Sequence, residues 1–207
     1  MARMSKEERR AQIVTGMMRA MATHGYERAT IQRIAAEIDI TPGLIHYHFN
    51  TKQEILLATL DEIAARMSAR YTRALATMKK ERGGSENERL GDALHAWIEA
   101  HVGLGDGADE EAMAAWVAIS CEATLSEEVR EPFNQVIERD LAALIEALAQ
   151  CPTPPSDSKD AMHIAVSLMA MLQGLYLLSQ TMETLGEQGF AREQLERAAL
   201  GMLEVSA

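Results

Sequence analysis

Apolar residues recur at helical spacing along almost the whole chain, and no alternating strand pattern is visible. A capping box of Ser5 and Glu8 predicts the start of a first helix, which ends near His24 and Gly25. The apolar positions of this helix are Ile13, Met17, Ala20 and Met21. The chain therefore opens with an amphipathic helix that has one face available for packing.

Two short helices follow the first one. The earlier of them begins after Thr30, and its apolar face consists of Ile31, Ile34, Ala35 and Ile38. Asp39 then interrupts the pattern. Thr41 and Pro42 begin the next helix, with Thr as N-cap and Pro at the first helical position, where its missing N–H costs nothing. This helix has only about two turns, because a capping box of Thr51 and Glu54 restarts the pattern.

The helices predicted downstream are longer. They run from Thr51 to about Lys80, from Ser85 (capped with Glu88) to about Val102, from Asp109 to Thr124, from Ser126 to Gln150, from Asp157 to Leu185, and from Phe190 to Val205. Glycines at 83, 84, 103, 105 and 107 and the segment CPTPPSDS predict loops between them. The fold class is therefore all-α, with about nine helices.

Composition and charge fit a soluble globular protein whose two ends differ. The chain has 207 residues, of which 47% are hydrophobic and 25% charged, and its net charge is −11. Residues 1–52 carry eight basic and five acidic side chains, whereas residues 53–207 carry 12 basic and 26 acidic ones. A basic head on an acidic body is the asymmetry expected when only one end binds a polyanion.

The cysteines and the apolar segments favour a cytoplasmic location. Cys121 and Cys151 lack ligand-like spacing and are expected to be reduced and structural. The N-terminus has no apolar stretch typical of a signal peptide. The longest apolar segment, Ile164 to Leu178, contains Gln173 and is shorter than the roughly 20 residues that a bilayer span requires. We therefore predict a buried helix there and no membrane partner.

Residues 30–49 have the layout of a helix-turn-helix, in which the second helix of the pair enters the major groove of DNA. Ile45 and Phe49 are four residues apart and are predicted to face the core. The predicted outward positions are Gly43, Leu44, Tyr47 and His48. An aromatic ring, an imidazole and a bare glycine suit a groove-reading surface better than a solvated one.

This segment resembles the TetR family of bacterial transcriptional regulators. The resemblance covers roughly the first 60 residues and is carried by Thr30, Ile34-Ala35, Ile40-Thr41, Gly43, Tyr47-His48-Phe49, Lys52 and Ile55-Leu56. Two positions depart from the family pattern: Asp39 stands where glycine is usual, and tolerates left-handed backbone geometry, while His46 replaces a residue that is often tyrosine. The resemblance implies a DNA-binding domain at 1–52 and a helical ligand-binding and dimerisation domain at 53–207.

The candidate DNA-binding residues belong to the two short helices and the start of the fourth. They are Thr30, Gln32, Arg33, Thr41, Pro42, Gly43, Leu44, His46, Tyr47, His48 and Lys52. Lys52 puts a positive charge at the positive end of a helix dipole, and a bound phosphate would turn that penalty into a gain. The alternatives are a solvated Lys52, a packed Tyr47 and an incidental surface His48, with the two threonines acting only as caps.

A ligand site is expected in the C-terminal part. Residues 112–118 (AMAAWVA) and 168–177 (LMAMLQGLYL) resemble stretches of the choline-responsive repressors of betaine synthesis. The candidate lining residues are Trp97, His101, Met113, Trp116, Ser120, Gln173 and Tyr176. An aromatic box beside Glu99 or Glu122 would suit a quaternary ammonium ligand, so the effector is expected to be cationic or apolar. The alternative is that both tryptophans simply fill the core.

Other chemistry is not indicated. His46 and His48 are two residues apart on a helix and cannot share a metal ion. The pair His95 and Glu99, four residues apart, is expected to be a surface contact, and Trp97 with His101 core packing, although either pair could face a cavity. No nucleotide, metalloprotease or serine-hydrolase motif occurs. We therefore predict neither an enzyme nor a bound cofactor or metal.

The combined prediction is a cytoplasmic homodimeric regulator, most simply a repressor that a small molecule releases from a palindromic operator. Because the segment Ile164 to Leu178 is apolar nearly all round, the helices Ser126 to Gln150 and Asp157 to Leu185 are predicted to pair with their symmetry mates, and a charge at Leu168 or Leu175 to give monomers. The competing hypothesis is a helical ligand-binding or scaffold protein with a non-functional head. The effector, the operator and the direction of regulation stay open.

Overall fold

The computed structural model describes residues 4–80, 90–102, 109–182 and 190–206. Within these ranges every regular element is a helix. The nine helices are α1 (Lys6–Arg28), α2 (Ile31–Glu37), α3 (Pro42–His48), α4 (Lys52–Lys80), α5 (Asp92–Val102), α6 (Glu110–Leu125), α7 (Glu127–Ala149), α8 (Ser158–Ser179) and α9 (Phe190–Ser206). The predicted all-α fold class is confirmed.

Local capping explains where several helices begin. The Ser5 hydroxyl accepts a hydrogen bond from the Glu8 backbone N–H at 3.1 Å, and the Glu8 carboxylate accepts one from the Ser5 N–H at 2.7 Å. Thr30, Asp109 and Asp157 likewise accept backbone N–H groups of α2, α6 and α8. Because each cap satisfies a donor that has no partner inside the helix, these starts follow from the local sequence.

Two predicted boundaries are wrong and a third is partly right. Gly25 leaves helical geometry at φ 72°, as the predicted end implies, but helical structure resumes after this kink and α1 extends to Arg28. The helix predicted from Ser85 begins only at Asp92, because Leu90 and Gly91 are not helical and Gly91 adopts φ 74°. The helix predicted to reach residue 185 ends at Ser179. The predicted cap at 85 and 88 and the glycines at 83, 84, 103, 105 and 107 lie outside the described residues.

The chain divides into two compact units, and the division is not sequential. The first unit contains residues 1–65 and 109–135, and the second contains 66–108 and 136–207. Helices α4 and α7 therefore contribute to both units. This division by packing does not test the predicted division by function after residue 52, which stays a prediction.

In the first unit, α1 packs against α2, α3 and α6. Ile13, Met17, Ile34 and Ile45 are completely buried and join the first three helices through one apolar core. Gly16 allows a close approach of α1 to α2: a Cβ atom there would lie 2.9 Å from the Ile34 carbonyl oxygen.

In the second unit, α5 is the central helix. Nine of its eleven residues are buried, and α9 packs against both α5 and α8. The Cys151 thiol donates to the Leu90 carbonyl at 2.9 Å and thereby ties the chain after α7 to the segment before α5. Both cysteines are free thiols.

Candidate nucleic-acid interface

The turn between α2 and α3 has the geometry that a helix-turn-helix needs. Asp39 adopts φ 52°, the left-handed conformation that the sequence predicts for it, and it is the only non-glycine residue with positive φ in the described part of the chain. The Ile40 N–H donates to the Ala35 carbonyl at 3.0 Å across the turn. The turn therefore survives the replacement of the usual glycine.

Helix α3 presents most of its predicted reading face to solvent. Ile45 and Phe49 are buried, whereas Tyr47 is 79% exposed. Thr41, Pro42, Gly43 and His46 are exposed, and Leu44 is half-buried. A Cβ atom at Gly43 would meet no atom within 4 Å, so the surface is open at this point. Thr41 occupies the N-cap position, but its hydroxyl makes no bond to the helix.

His48 is less exposed than the sequence predicts. It is half-buried, and its ring lies edge-on against Tyr47 with 5.1 Å between centroids. Its buried Nδ1 atom has no hydrogen-bond partner in the described residues. Burial, and then the positive charges of Lys6, Arg10 and Arg9, lower the pKa of His48. The start of α1 thus adds positive charge beside the end of α3, which suits a surface that contacts phosphates.

Arg10 supports α3 in a way that sequence reasoning missed. Its guanidinium donates to the His48 carbonyl and lies 3.8 Å from the centroid of the buried Phe49 ring. A cation at a helix C-terminus satisfies a carbonyl and complements the helix dipole. No local pattern could have singled out Arg10 from Arg9, because the contact joins residues that are 38 positions apart.

The predicted residues of α2 lie on its exposed side. Thr30, Gln32 and Arg33 are exposed. Thr30 caps the helix by accepting the Arg33 N–H at 3.3 Å, and the Arg33 guanidinium donates to the Arg28 carbonyl at 3.0 Å. Thr30 and Arg33 therefore stabilise the start of α2, and the predicted contact of these three residues with a DNA backbone stays a prediction.

Lys52 has partners that the helix-dipole argument did not foresee. Its ammonium donates to the Tyr26 carbonyl at 2.6 Å and to the Glu27 carbonyl at 3.3 Å, and it lies 3.9 Å from the Tyr26 ring centroid. The charge therefore rests at the C-terminal end of α1, where it is favourable. Burial lowers the pKa of Lys52, and Glu27 and Glu122 oppose that shift.

The seven predicted ligand-lining residues belong to different units. Met113, Trp116 and Ser120 lie in the first unit, and Trp97, His101, Gln173 and Tyr176 in the second. In the first unit, Trp116 packs against Phe133 with 5.0 Å between ring centroids. The Ser120 hydroxyl donates to the Val117 carbonyl at 2.7 Å. This predicted lining stays a prediction.

In the second unit, Trp97, His101 and Tyr176 form one buried polar network. The Trp97 indole N–H donates to Asp140 at 2.9 Å, and the His101 Nε2 atom lies 3.0 Å from the other oxygen of that carboxylate. The Tyr176 hydroxyl donates to the His101 carbonyl at 3.0 Å. Burial raises the pKa of Tyr176. The acidic neighbour of this aromatic cluster is therefore Asp140.

The predicted acidic neighbour Glu99 is already paired. Its carboxylate lies 3.1 Å from the guanidinium of Arg192 on α9. His95, expected to make a surface contact with Glu99, is instead 2% exposed and accepts a hydrogen bond at 2.6 Å from that same guanidinium. The expected surface contact between His95 and Glu99 is thus corrected, because Arg192 competes for their polar atoms. Both residues instead line one cavity, the alternative that the sequence left open. The role of Glu99 beside an aromatic box stays a prediction.

Among the described residues, no group of three or more His, Cys, Asp or Glu side chains could hold a metal ion. Helix α8 is long and apolar enough to cross a membrane by length and composition alone, and the core helices of soluble proteins can share both properties.

The comparisons with known proteins agree with this geometry. Residues 13–59 match the model for bacterial regulatory proteins of the tetR family, and residues 90–204 match the model for the C-terminal domain of BetI-type transcriptional repressors. The HTH-type transcriptional regulator BetI of Rhizobium meliloti is 30% identical over 82% of this chain and 76% of its own.

Two solved structures share the fold. A transcriptional regulator from Rhodococcus sp. Rha1 is 22% identical, with a TM-score of 0.72 and coverage of 95% of both chains. A Saccharomonospora viridis protein crystallised in complex with choline is 23% identical, with a TM-score of 0.69 and coverage of 96% of both chains.

A helix-turn-helix with an exposed reading helix, placed before a helical C-terminal region, defines a DNA-binding transcriptional regulator. The chain belongs to the TetR family of bacterial regulators and carries a BetI-type repressor C-terminal domain. Regulators of this family bind operator DNA and small-molecule effectors, typically as dimers. The predictions of a regulator and of a protein that is not an enzyme are confirmed.

Proposed function

We propose that this protein is a cytoplasmic homodimeric repressor that binds a palindromic operator through α3 and leaves it when a small molecule binds the C-terminal region. The observation that carries the DNA-binding part is the exposed face of α3, where the 79% exposed Tyr47 stands beside the open surface at Gly43. A large exposed aromatic ring is a poor solvated surface and a good contact for a base edge.

The experiment is selection of bound genomic fragments by the full chain, followed by footprinting on the recovered site. We expect a protected palindrome whose half-sites are about 10 bp apart, or a multiple of that, centre to centre. Tyr47→Ala should weaken binding to this site and alter its sequence preference. Leu125→Ala is the matched control, because it truncates an 81% exposed apolar residue on α6. If both variants changed operator affinity and sequence preference equally, α3 would not be the helix that reads the operator.

The homodimer is proposed on the outward face of α8. Met162, Val166 and Leu177 are 42%, 49% and 52% exposed and recur at helical spacing. A groove of about 510 Å³ lies between α8 and α9 beside this face. By contrast, the part of α7 in the second unit exposes the charged residues Glu138 and Arg139. We therefore place α9, and not α7, beside α8 in the proposed interface.

The effector is proposed to be a small cationic or apolar molecule. The S. viridis neighbour was crystallised with choline, and this chain has a BetI-type C-terminal match, so choline is the first compound to titrate. Because an effector shifts DNA affinity only by its preference between two states, operator must weaken choline binding by the same factor. Saturable tryptophan quenching and operator release by choline support the cationic class. Release by a neutral compound and not by choline would leave only the apolar class.

A further inference from the structure

A cavity of about 480 Å³ lies in the second unit between the end of α4, the middle of α5 and the start of α9. This volume is typical of small-molecule sites. Its polar lining consists of Arg70, Arg73, Thr77, His95, Glu99 and Arg192. None of the seven residues predicted to line the effector site belongs to it.

The lining of this cavity is rich in basic side chains, although the surrounding C-terminal region is acidic. Residues 53–207 carry 26 acidic and 12 basic side chains, yet three of those 12 line this single cavity, where Glu99 and Glu196 both pair with one of them, Arg192. Positive side chains gathered in a concave site of an acidic region create a local field that attracts anions.

On the α9 side of the cavity, the charged side chain of Arg192 is already bound to neighbouring residues of the protein. The Arg192 guanidinium lies 3.1 Å from Glu99 and 2.8 Å from Glu196, and it donates to His95 Nε2 at 2.6 Å. Because a guanidinium can only donate, His95 accepts here through Nε2 as a neutral ring. Burial lowers the pKa of His95, in keeping with that neutral form. This side of the cavity therefore supplies a fixed wall and no unpaired cation.

The α4 side of the cavity carries two further arginines. Arg70 and Arg73 are three residues apart and lie on one face of the helix. The hydrogen bond that Arg73 makes within the described residues runs from Nε to the Ala69 carbonyl, at 3.3 Å. The two terminal nitrogens of its guanidinium have the fork geometry that matches a carboxylate or a phosphate. One turn further along, the Thr77 hydroxyl donates to the Arg73 carbonyl and lines the same cavity.

We propose that this cavity binds a small organic anion, whose carboxylate or phosphate head is held by the Arg73 guanidinium against the wall formed by His95, Glu99 and Arg192. The site is distinct from the proposed effector site in its residues and in the charge of its ligand. The inference does not rest on operator binding.

The test is isothermal titration of the full chain with succinate and with inorganic phosphate, with neutral succinamide and cationic choline as reference compounds. We expect saturable binding of at least one anion at or below about 1 mM. Arg73→Gln should weaken it about tenfold or more, the loss of a charge-assisted hydrogen bond, and Arg73→Lys should weaken it less. Arg73 is exposed, so both variants should fold.

The matched control is Arg66→Gln, which removes the same charge from the same helix at a position outside the cavity lining. Three results would overturn the proposal: no saturable binding of either anion, equal binding of succinamide, or equal losses in Arg66→Gln and Arg73→Gln. Operator affinity, measured without any anion present, reports separately on the proposed repressor function. The relative affinities of succinate and phosphate identify the head group.

Discussion

Two glycines of the first unit lie in helices for opposite reasons. A Cβ atom at Gly16 would lie 2.9 Å from the Ile34 carbonyl oxygen and 3.1 Å from the Ile38 side chain, whereas one at Gly43 would meet nothing within 4 Å. We expect Gly16→Ala to lower the melting temperature, because a backbone atom of α2 must move. Gly43→Ala should keep or raise it, since alanine is the better helix former by roughly 1 kcal/mol.

Operator affinity is a second quantity in which Gly43→Ala should differ from the wild type. Gly43→Ala should weaken operator binding although the protein is no less stable, because the new methyl group stands on the reading face. Calorimetry measures the melting temperature, and fluorescence anisotropy on the same preparations measures the operator affinity. An unchanged operator affinity in Gly43→Ala would mean that this part of α3 stays away from the DNA.

Arg10 and Arg9 form a second informative pair. Arg10 holds the end of α3 through the His48 carbonyl and the Phe49 ring, whereas the side-chain bond of Arg9 within the described residues runs to Gln12, three positions away, at 2.6 Å. Arg10→Met should cost about 1–3 kcal/mol of stability, because it leaves a charged hydrogen bond unmade. Arg9→Met should cost much less. Urea unfolding of both variants measures the difference, and equal midpoints would show that Arg10 does not hold α3.

At the scale of elements, Lys52 joins the start of α4 to the end of α1. Lys52→Met keeps most of the apolar stem but removes the donor to Tyr26 and Glu27, so the melting temperature should fall. If the ammonium also reaches a phosphate in the complex, the slope of log K against log salt should fall by roughly one unit. Binding measured at several salt concentrations decides the second point, and an unchanged slope would refute the phosphate role.

Cys151 makes the joint between α7 and α5 sensitive to alkaline pH. Burial raises the pKa of its thiol to about 11 from an ordinary value of 9.0. Between these values the unfolded chain loses the proton and the folded chain keeps it, so the folded state loses stability as pH rises from about 9 to about 11. The pH dependence of the unfolding free energy should be flatter in Cys151→Ala than in the wild type. Cys121→Ala, at an exposed thiol, should retain the wild-type slope.

The sequence predicts elements well where their determinants are local. The capping box at Ser5, the cap at Thr30 and the left-handed Asp39 depend on neighbours within a few residues, and all three occur as expected. The start of α5 was misplaced because Gly91 packs against the backbone at Gln150 and Cys151, which no local pattern can show.

In the candidate site, too, the features with local determinants could be predicted and those with distant determinants could not. The face of α3 follows from helical periodicity, so the burial of Ile45 and the exposure of Tyr47 could be predicted. The partners of Lys52 and Glu99 could not, because long polar side chains bind whatever the fold brings near them. Arg192, which forms an ion pair with Glu99, lies in another helix, 93 positions further along the chain.

At the scale of the whole molecule, one of the two variants that the sequence suggests for the dimer, a charge at Leu168, is not a usable test, whereas Leu175 is half-buried. Leu168 is completely buried within its own chain, so a charge there would unfold the protein and not merely separate protomers. Val166→Lys should instead give folded monomers, because Val166 is 49% exposed on the outward face of α8. Ala142→Lys, at an exposed position of α7, should remain dimeric. Sedimentation at micromolar concentration distinguishes them, and the reverse result would place α7 in the interface.

The first unit takes its last helices from a distant part of the chain, since residues 109–135 pack with residues 1–65. During synthesis, the ribosome adds the intervening residues at roughly 5–20 per second. For several seconds the nascent head therefore has its reading helix but lacks the α6 surface against which α1 packs. The side of α1 that packs against α6 therefore stays uncovered until α6 has been synthesised. Assembly of a finished DNA-binding head is thus timed by the appearance of the C-terminal half of the protein.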